Sequence, residues 1–226
     1  EGMASGVAVI VVDGAGENSI VVASGANARV SPADVEAAEK LIASARAVLL
    51  QLELPIETVV RAISLARRHN VMTVLDPAPV PADAVLPPAA YDVDILNPNE
   101  LEASQLAEEA IGTDKHSAKL VAAELLRRGS RSVVIKLGRR GALAVDGASP
   151  KFREIPAFDV PVVDTTAAGD AFAAALTVAR AAGESLTRAT RFACAAGALA
   201  CTRLGAAGAM PTLAEVENLL ANNSSD

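Results

Sequence analysis

Residues 47–75, AVLLQLELPIETVVRAISLARRHNVMTVL, read as strand, helix, strand. Ala47–Leu52 and Val71–Leu75 are short apolar runs of strand length, and Pro55 opens a helix that reaches about His69. The same alternation continues downstream. A strand is expected at Val93–Leu96, ending in Asn97-Pro98-Asn99, then helices over roughly Glu100–Ala107 and Ala118–Arg128. Strands follow at Ser132–Leu137, Ala142–Val145 and Phe152–Ala157, then two Ala-rich helices at about 169–182 and 186–203 and a last one at about 212–220. Strands alternating with helices predict an α/β fold: a Rossmann-like, mostly parallel sheet flanked by helices on both faces. Ligands of such sheets bind beyond the carboxyl ends of the strands, where the polar clusters of this chain fall.

Upstream, Ser31-Pro32 with Asp34 and Glu36 provides a cap, a first-turn proline and acids at the positive end of a helix running to about Ser44. Before it, the β-branched runs 6–12 and 18–23 flank Asp13-Gly14-Ala15-Gly16-Glu17, so residues 5–25 predict a β-hairpin added to a single domain over 1–226. The tail Asn222–Asp226 is polar and expected to fray.

Composition narrows the function. The 226 residues carry a net charge of −7 and 2% aromatics, which supplies neither the basic footprint nor the stacking platforms of a nucleic-acid binder. No run of eighteen or more apolar residues occurs, although mean hydropathy is +0.33, so no membrane span is expected. Nor does the N-terminus read as a signal peptide. Cys194 and Cys201, seven apart in one helical pattern, suit two reduced thiols of a cytoplasmic protein, not a disulfide or zinc site. Two histidines, His69 and His116, are too few for a histidine-rich metal site.

The chemistry concentrates in Val162-Val163-Asp164-Thr165-Thr166-Ala167-Ala168-Gly169-Asp170-Ala171-Phe172. Small residues lead straight into a helix, so backbone N–H groups near Ala167–Asp170 are exposed at its positive end and suit an anion such as a phosphoryl group. Asp170 would stand beside them as a proton acceptor. Asp and Thr are equally ordinary helix caps, and both readings stay open from these residues alone.

DTTAAGD resembles the anion-hole motif of the ribokinase-like (PfkB) carbohydrate kinases. The resemblance extends in order through GVAVIVVDGAGENSIVVASGANARVSP, QLELP, DPAP, NPNELEA, KLGRRG and RLGAAGAMP, nearly the whole chain. It implies ATP-dependent phosphorylation of a sugar, D-ribose at its 5-hydroxyl first among them. Asp170 becomes the base, Ala167, Ala168 and Gly169 the anion hole, and Glu53 an acid near the sugar. Asn99 and Glu102 match an N-x-x-E motif that helps place Mg²⁺ and the phosphates, with a plain helix cap as the other reading of Asn99. Lys136, Gly138, Arg139 and Gly141 fall in the nucleotide loop, Lys136 standing where some relatives carry Thr. Cys194 falls near the adenine, where a buried helix-face thiol is the alternative. A monovalent cation, usually K⁺, would sit among Asp164, Thr166, Ala200, Arg203, Gly205 and Ala209, the last standing where Ser is common.

The hairpin resembles part of the family's lid, through which homodimers form. Relatives carry a further segment ahead of this chain's first residue that supplies most of the sugar recognition, so an N-terminally truncated kinase is expected. A non-catalytic nucleotide-binding or assembly remnant is the alternative, as is a kinase for another furanose, a keto-deoxy sugar or a nucleoside. A dinucleotide-dependent dehydrogenase is disfavoured, because no Gly-x-Gly-x-x-Gly follows a strand.

Overall fold

The computed structural model describes residues 2–12, 18–112 and 115–223. The expected hairpin turn at 13–17 and the last three residues of the tail lie outside them. Strands β1 (Val7–Val12) and β2 (Asn18–Ala23) pair antiparallel as a separate two-stranded sheet. The main sheet holds β3 (Ala47–Leu50), β4 (Met72–Leu75), β5 (Ile95–Leu96), β6 (Ser132–Lys136), β7 (Ala142–Asp146) and β8 (Ser149–Ile155) in that spatial order. The pairings from β3 to β6 are parallel, and β7 and β8 turn back antiparallel.

Side chains of a strand alternate between the two faces of its sheet, and each face here has its own core. Leu75, Leu96, Val133 and Ile135 pack with α3 (Ile56–Arg68), α4 (Glu100–Ala107) and α5 (Lys115–Arg127) through Val59, Ile63, Leu106, Val121 and Leu125. Val74, Ile95 and Val134 point the other way, onto α6 (Ala168–Ala181), α7 (Leu186–Ala200) and α8 (Leu213–Asn222) through Phe172, Leu176, Ala193 and Val216. The sheet is thus covered on both faces, as expected. Among the described residues, no helix is long and apolar enough to cross a membrane.

Two expectations change in detail. The helix expected from Pro32 to about Ser44 is broken at Ala38 into α1 (Pro32–Ala37) and α2 (Glu39–Ser44). Neither proline nor glycine causes the break. Glu36 pairs with Arg61 of α3, and Glu39 with Arg68 of α3 and with His69 just beyond its end. The Ser31 cap is present as a reciprocal box with Asp34. Strand β5 is shorter than the expected Val93–Leu96, although backbone bonds continue before it: Asp94 N–H reaches Thr73 O at 3.1 Å, and the Asp94 carboxylate also accepts the Thr73 N–H at 2.8 Å.

Candidate active site

The carboxyl ends of four adjacent strands give way to Gln51, Asp76, Asn97 and, as the last residue of β6, Lys136. Leu50 pairs with Leu75, Leu75 with Leu96 and Leu96 with Val133. Those residues belong to the core of the α3–α5 face or pack against it, so alternation turns Gln51, Asp76, Asn97 and Lys136 toward α6. A polar row thus lies under the start of that helix.

The helix begins abruptly. Ala167 takes a left-handed conformation (φ 59°, ψ 11°) and no side chain caps the end. Ala171 N–H donates to Ala167 O at 2.9 Å. The N–H groups ahead of it, at Ala168, Gly169 and Asp170, belong to the first turn, which has no partner within a helix; Ala168 N–H reaches the Thr165 carbonyl at 3.3 Å. This uncapped mouth, with the helix dipole behind it, favours an anion.

Two hollows flank the mouth. The larger, of about 580 Å³, is lined by Ala168 and Gly169 together with Asn99, Lys136, Gly138, Arg139, Gly141, Cys194, Gly197 and Cys201. A smaller one, of about 300 Å³, is lined by Asp170, Gln51, Leu49, Ala173 and Ala174. Consecutive residues of one helix turn therefore face different spaces. The exposed Asp170 carboxylate accepts a hydrogen bond from Gln51 Nε2 at 3.1 Å.

Lys136 Nζ donates to Asp76 Oδ2 at 2.6 Å. The same ammonium lies 3.7 Å from where a Cβ on Gly169 would stand, which puts it at the helix mouth. Burial pushes the Asp76 carboxyl above its usual range; the Lys136 charge pulls it down and the Asp170 charge pushes it further up. Asn99 caps α4 and lines the larger hollow, while Glu102 stands behind it: Glu102 Oε2 accepts Asn99 N–H at 2.7 Å and Oε1 accepts Asn99 Nδ2 at 2.8 Å. The cap reading of Asn99 therefore holds, and both Glu102 oxygens are engaged. Burial also raises the Glu102 carboxyl.

The loop after β6 makes a 3-10 turn, Gly138–Arg140, closed by Gly141 at φ 86°. A Cβ on Gly141 would lie 2.0 Å from Ile155 O, so the backbone there admits no side chain. Arg139 faces the hollow, whereas Arg140 is drawn off to Glu100 at 2.6 Å. Cys194 is buried in the wall of the hollow, and burial pushes its thiol up to about 12. It is an inert wall residue rather than a nucleophile.

Asp164 staples two loops. Its Oδ1 accepts the Thr166 N–H (2.9 Å) and hydroxyl (2.7 Å), and its Oδ2 accepts Gly205 N–H at 2.9 Å, the chief reason its carboxyl is held below the usual range. Ala200 precedes Cys201, whose carbonyl receives Val163 and Asp164 N–H; Arg203 N–H reaches Ala200 O at 3.5 Å, and the Arg203 side chain turns to Glu215. Ala209 is fully buried in the 3-10 turn Ala207–Ala209. Glu53 is exposed and lines neither hollow. Sequence reading missed Gln51, Asp76 and Asn97 as site residues; the signal available was their shared place at consecutive strand ends.

An α/β sheet whose strand ends converge on an uncapped helix mouth between two hollows has the form suited to an anionic group held between two ligands. The chain belongs to the pfkB family of carbohydrate kinases, whose family model matches residues 1–213. It is 37% identical over 221 residues to a ribokinase of Schizosaccharomyces pombe, covering 96% of this chain and 68% of the relative. Its fold superposes on a Thermotoga maritima ribokinase with a TM-score of 0.83 at 33% identity, covering 97% and 71% of the two chains. It also superposes on an Arabidopsis thaliana ribokinase complexed with ribose and ATP, with a TM-score of 0.85 at 31% identity, covering 97% and 70%.

Proposed function

We propose that this chain transfers the γ-phosphoryl group of ATP to the 5-hydroxyl of D-ribose. The observation that carries this reading is the division of space at the α6 mouth, with Gly169 facing the larger hollow and Asp170 the smaller. The nucleotide takes the larger hollow, between the Gly138–Gly141 turn and Cys194, with Asn99 and Lys136 toward its phosphates. The sugar takes the smaller one, beside Gln51 and Asp170, and a role for Glu53 near it rests on the family resemblance alone. The ribose oxygen attacks the γ-phosphorus, forming the O5–P bond; the bond to the bridging oxygen breaks and ADP leaves with the electron pair. Asp170 accepts the hydroxyl proton. The Ala167, Ala168 and Gly169 segment stabilises the charge on the transferring oxygens, the main task of a protein in phosphoryl transfer.

Mg²⁺ neutralises phosphate charge when bound. Among the described residues no group of three or more His, Cys, Asp or Glu is placed to hold a metal, and both Glu102 oxygens are engaged by Asn99. The ion therefore fits as the nucleotide's companion, with the Asn99–Glu102 pair touching it through water. The loops stapled by Asp164 fit K⁺ by their chemistry, main-chain oxygens of Asp164, Thr166, Ala200, Arg203, Gly205 and Ala209. The hairpin, residues 5–25, serves as a lid, and its exposed Val7, Val9, Val21 and Val22 support a homodimer through it. Two free cysteines fit the reducing cytoplasm.

The test is ADP release with ATP and a panel of ribose, fructose, 2-keto-3-deoxygluconate and nucleosides, with and without K⁺, alongside calorimetry with a non-hydrolysable ATP analogue. Ribose should give the highest kcat/KM. Analogue binding without turnover of any sugar would convert the reading to a non-catalytic remnant.

A further inference from the structure

The ion pair between Lys136 and Asp76 is buried, with side chains 13% and 2% exposed. Removing two charges from water is expensive, and apolar residues of similar size often serve stability as well or better. This pair is also placed against the local field. The ammonium stands at the α6 mouth, where the helix dipole repels a cation. Asp76 is the carboxylate bonded to it, and the other oxygen of Asp76, Oδ1, is buried without a hydrogen-bond partner among the described residues. A cation held in that position by a dedicated buried carboxylate is set to meet an incoming anion.

We propose that Asp76 is a positioning residue, which fixes the Lys136 ammonium at the α6 mouth so that cation and backbone amides converge on the same phosphoryl group. This rests on the phosphotransferase reading above and adds to it a residue that acts through Lys136 without touching substrate. Backbone register makes the arrangement rigid. β4 and β6 both pair with β5, and Lys136 N–H is itself bonded to Pro98 O at 2.9 Å. Only the flexible end of the lysine is left to be fixed, and Asp76 fixes it.

The experiment compares Asp76→Asn, Lys136→Met and the double variant by steady-state kinetics, thermal melting and calorimetry with ATP analogue and ADP. In Asp76→Asn the ammonium keeps its charge and loses its anchor. Its kcat per folded molecule should fall by about 10²-fold, with KM for ATP unchanged or lower. Lys136→Met should lose turnover and also the preference for ATP analogue over ADP. The double variant, with neither charge, should regain the melting temperature lost by the single variants but not their turnover. An Asp76→Asn enzyme within about twofold of the unmutated kcat, or a double variant that regains turnover with stability, overturns the proposal. If Asp76→Asn does not fold, Asp76→Glu decides, since it keeps the pair and shifts the ammonium; unchanged turnover there overturns it equally. An unmutated chain that binds ATP analogue without phosphorylating sugar removes the catalytic reading alone. The positioning role then stands or falls on whether Asp76→Asn weakens the analogue-over-ADP preference as Lys136→Met does; an Asp76→Asn protein that keeps the full preference overturns it.

Discussion

Replacing Asp170 by Asn removes one proton acceptor and little else. The side chain is exposed and its hydrogen bond, from Gln51 Nε2 at 3.1 Å, can be received by the amide oxygen of Asn. Stability should therefore change by no more than about 0.5 kcal/mol, the ordinary range for an exposed position. Turnover should fall by about 10²–10⁴-fold, the usual contribution of a general base. At about 1.4 kcal/mol per decade that is roughly 3–5.5 kcal/mol of transition-state stabilisation. ATP binding should persist, because Ala168, Gly169 and Lys136 face the larger hollow, proposed for the nucleotide, and Asp170 faces the other. The assay is coupled ADP release with ribose, with analogue affinity by calorimetry and a melting curve on the same preparation. A folded Asp170→Asn protein that turns over within about tenfold of the unmutated enzyme refutes the assignment of the base.

Gly141→Ala and Gly138→Ala make a matched pair, since both glycines have positive φ but only Gly141 has backbone within 3 Å of the added carbon. Gly138→Ala should cost about 1–2 kcal/mol and Gly141→Ala at least about 3 kcal/mol in chemical denaturation, and equal costs would count against the geometry. Glu215 is held down, from an ordinary 4.5 to about 2, by its hydrogen bonds from Arg203 and from the Thr212 backbone and hydroxyl. A depressed carboxyl contributes its stability in full above 4.5 and loses it as pH falls toward about 2, so Glu215→Gln should flatten the acid limb of urea midpoints in that window. Parallel curves for the two proteins would contradict this.

Much of the architecture was legible because it is written locally. Pro55 opens α3's segment, Ser31 caps α1, Asn99 caps α4, and apolar runs of strand length separate them. The break at Ala38 was not legible, since neither proline nor glycine marks it in the sequence. The same reason divides the site. DTTAAGD announces itself as a continuous stretch, but Gln51 meets Asp170 across 119 residues and Asp76 meets Lys136 across 60. Those meetings follow from strand order and register, which single-strand patterns do not encode. Once the order β3-β4-β5-β6 is known, alternation alone places Gln51, Asp76, Asn97 and Lys136 on one face.

The seam between α6 and α7 carries a last consequence. Both helices are built largely of alanine, and a Cβ on Gly197 would stand 3.2 Å from Ala168 O, the residue that opens α6. Smallness at this junction therefore governs more than packing. A methyl group added on α7 would act as a wedge under the very turn whose amides are proposed to receive the anion, tilting their aim. Evolutionary drift toward bulk along this junction should thus be restrained by turnover well before folding suffers.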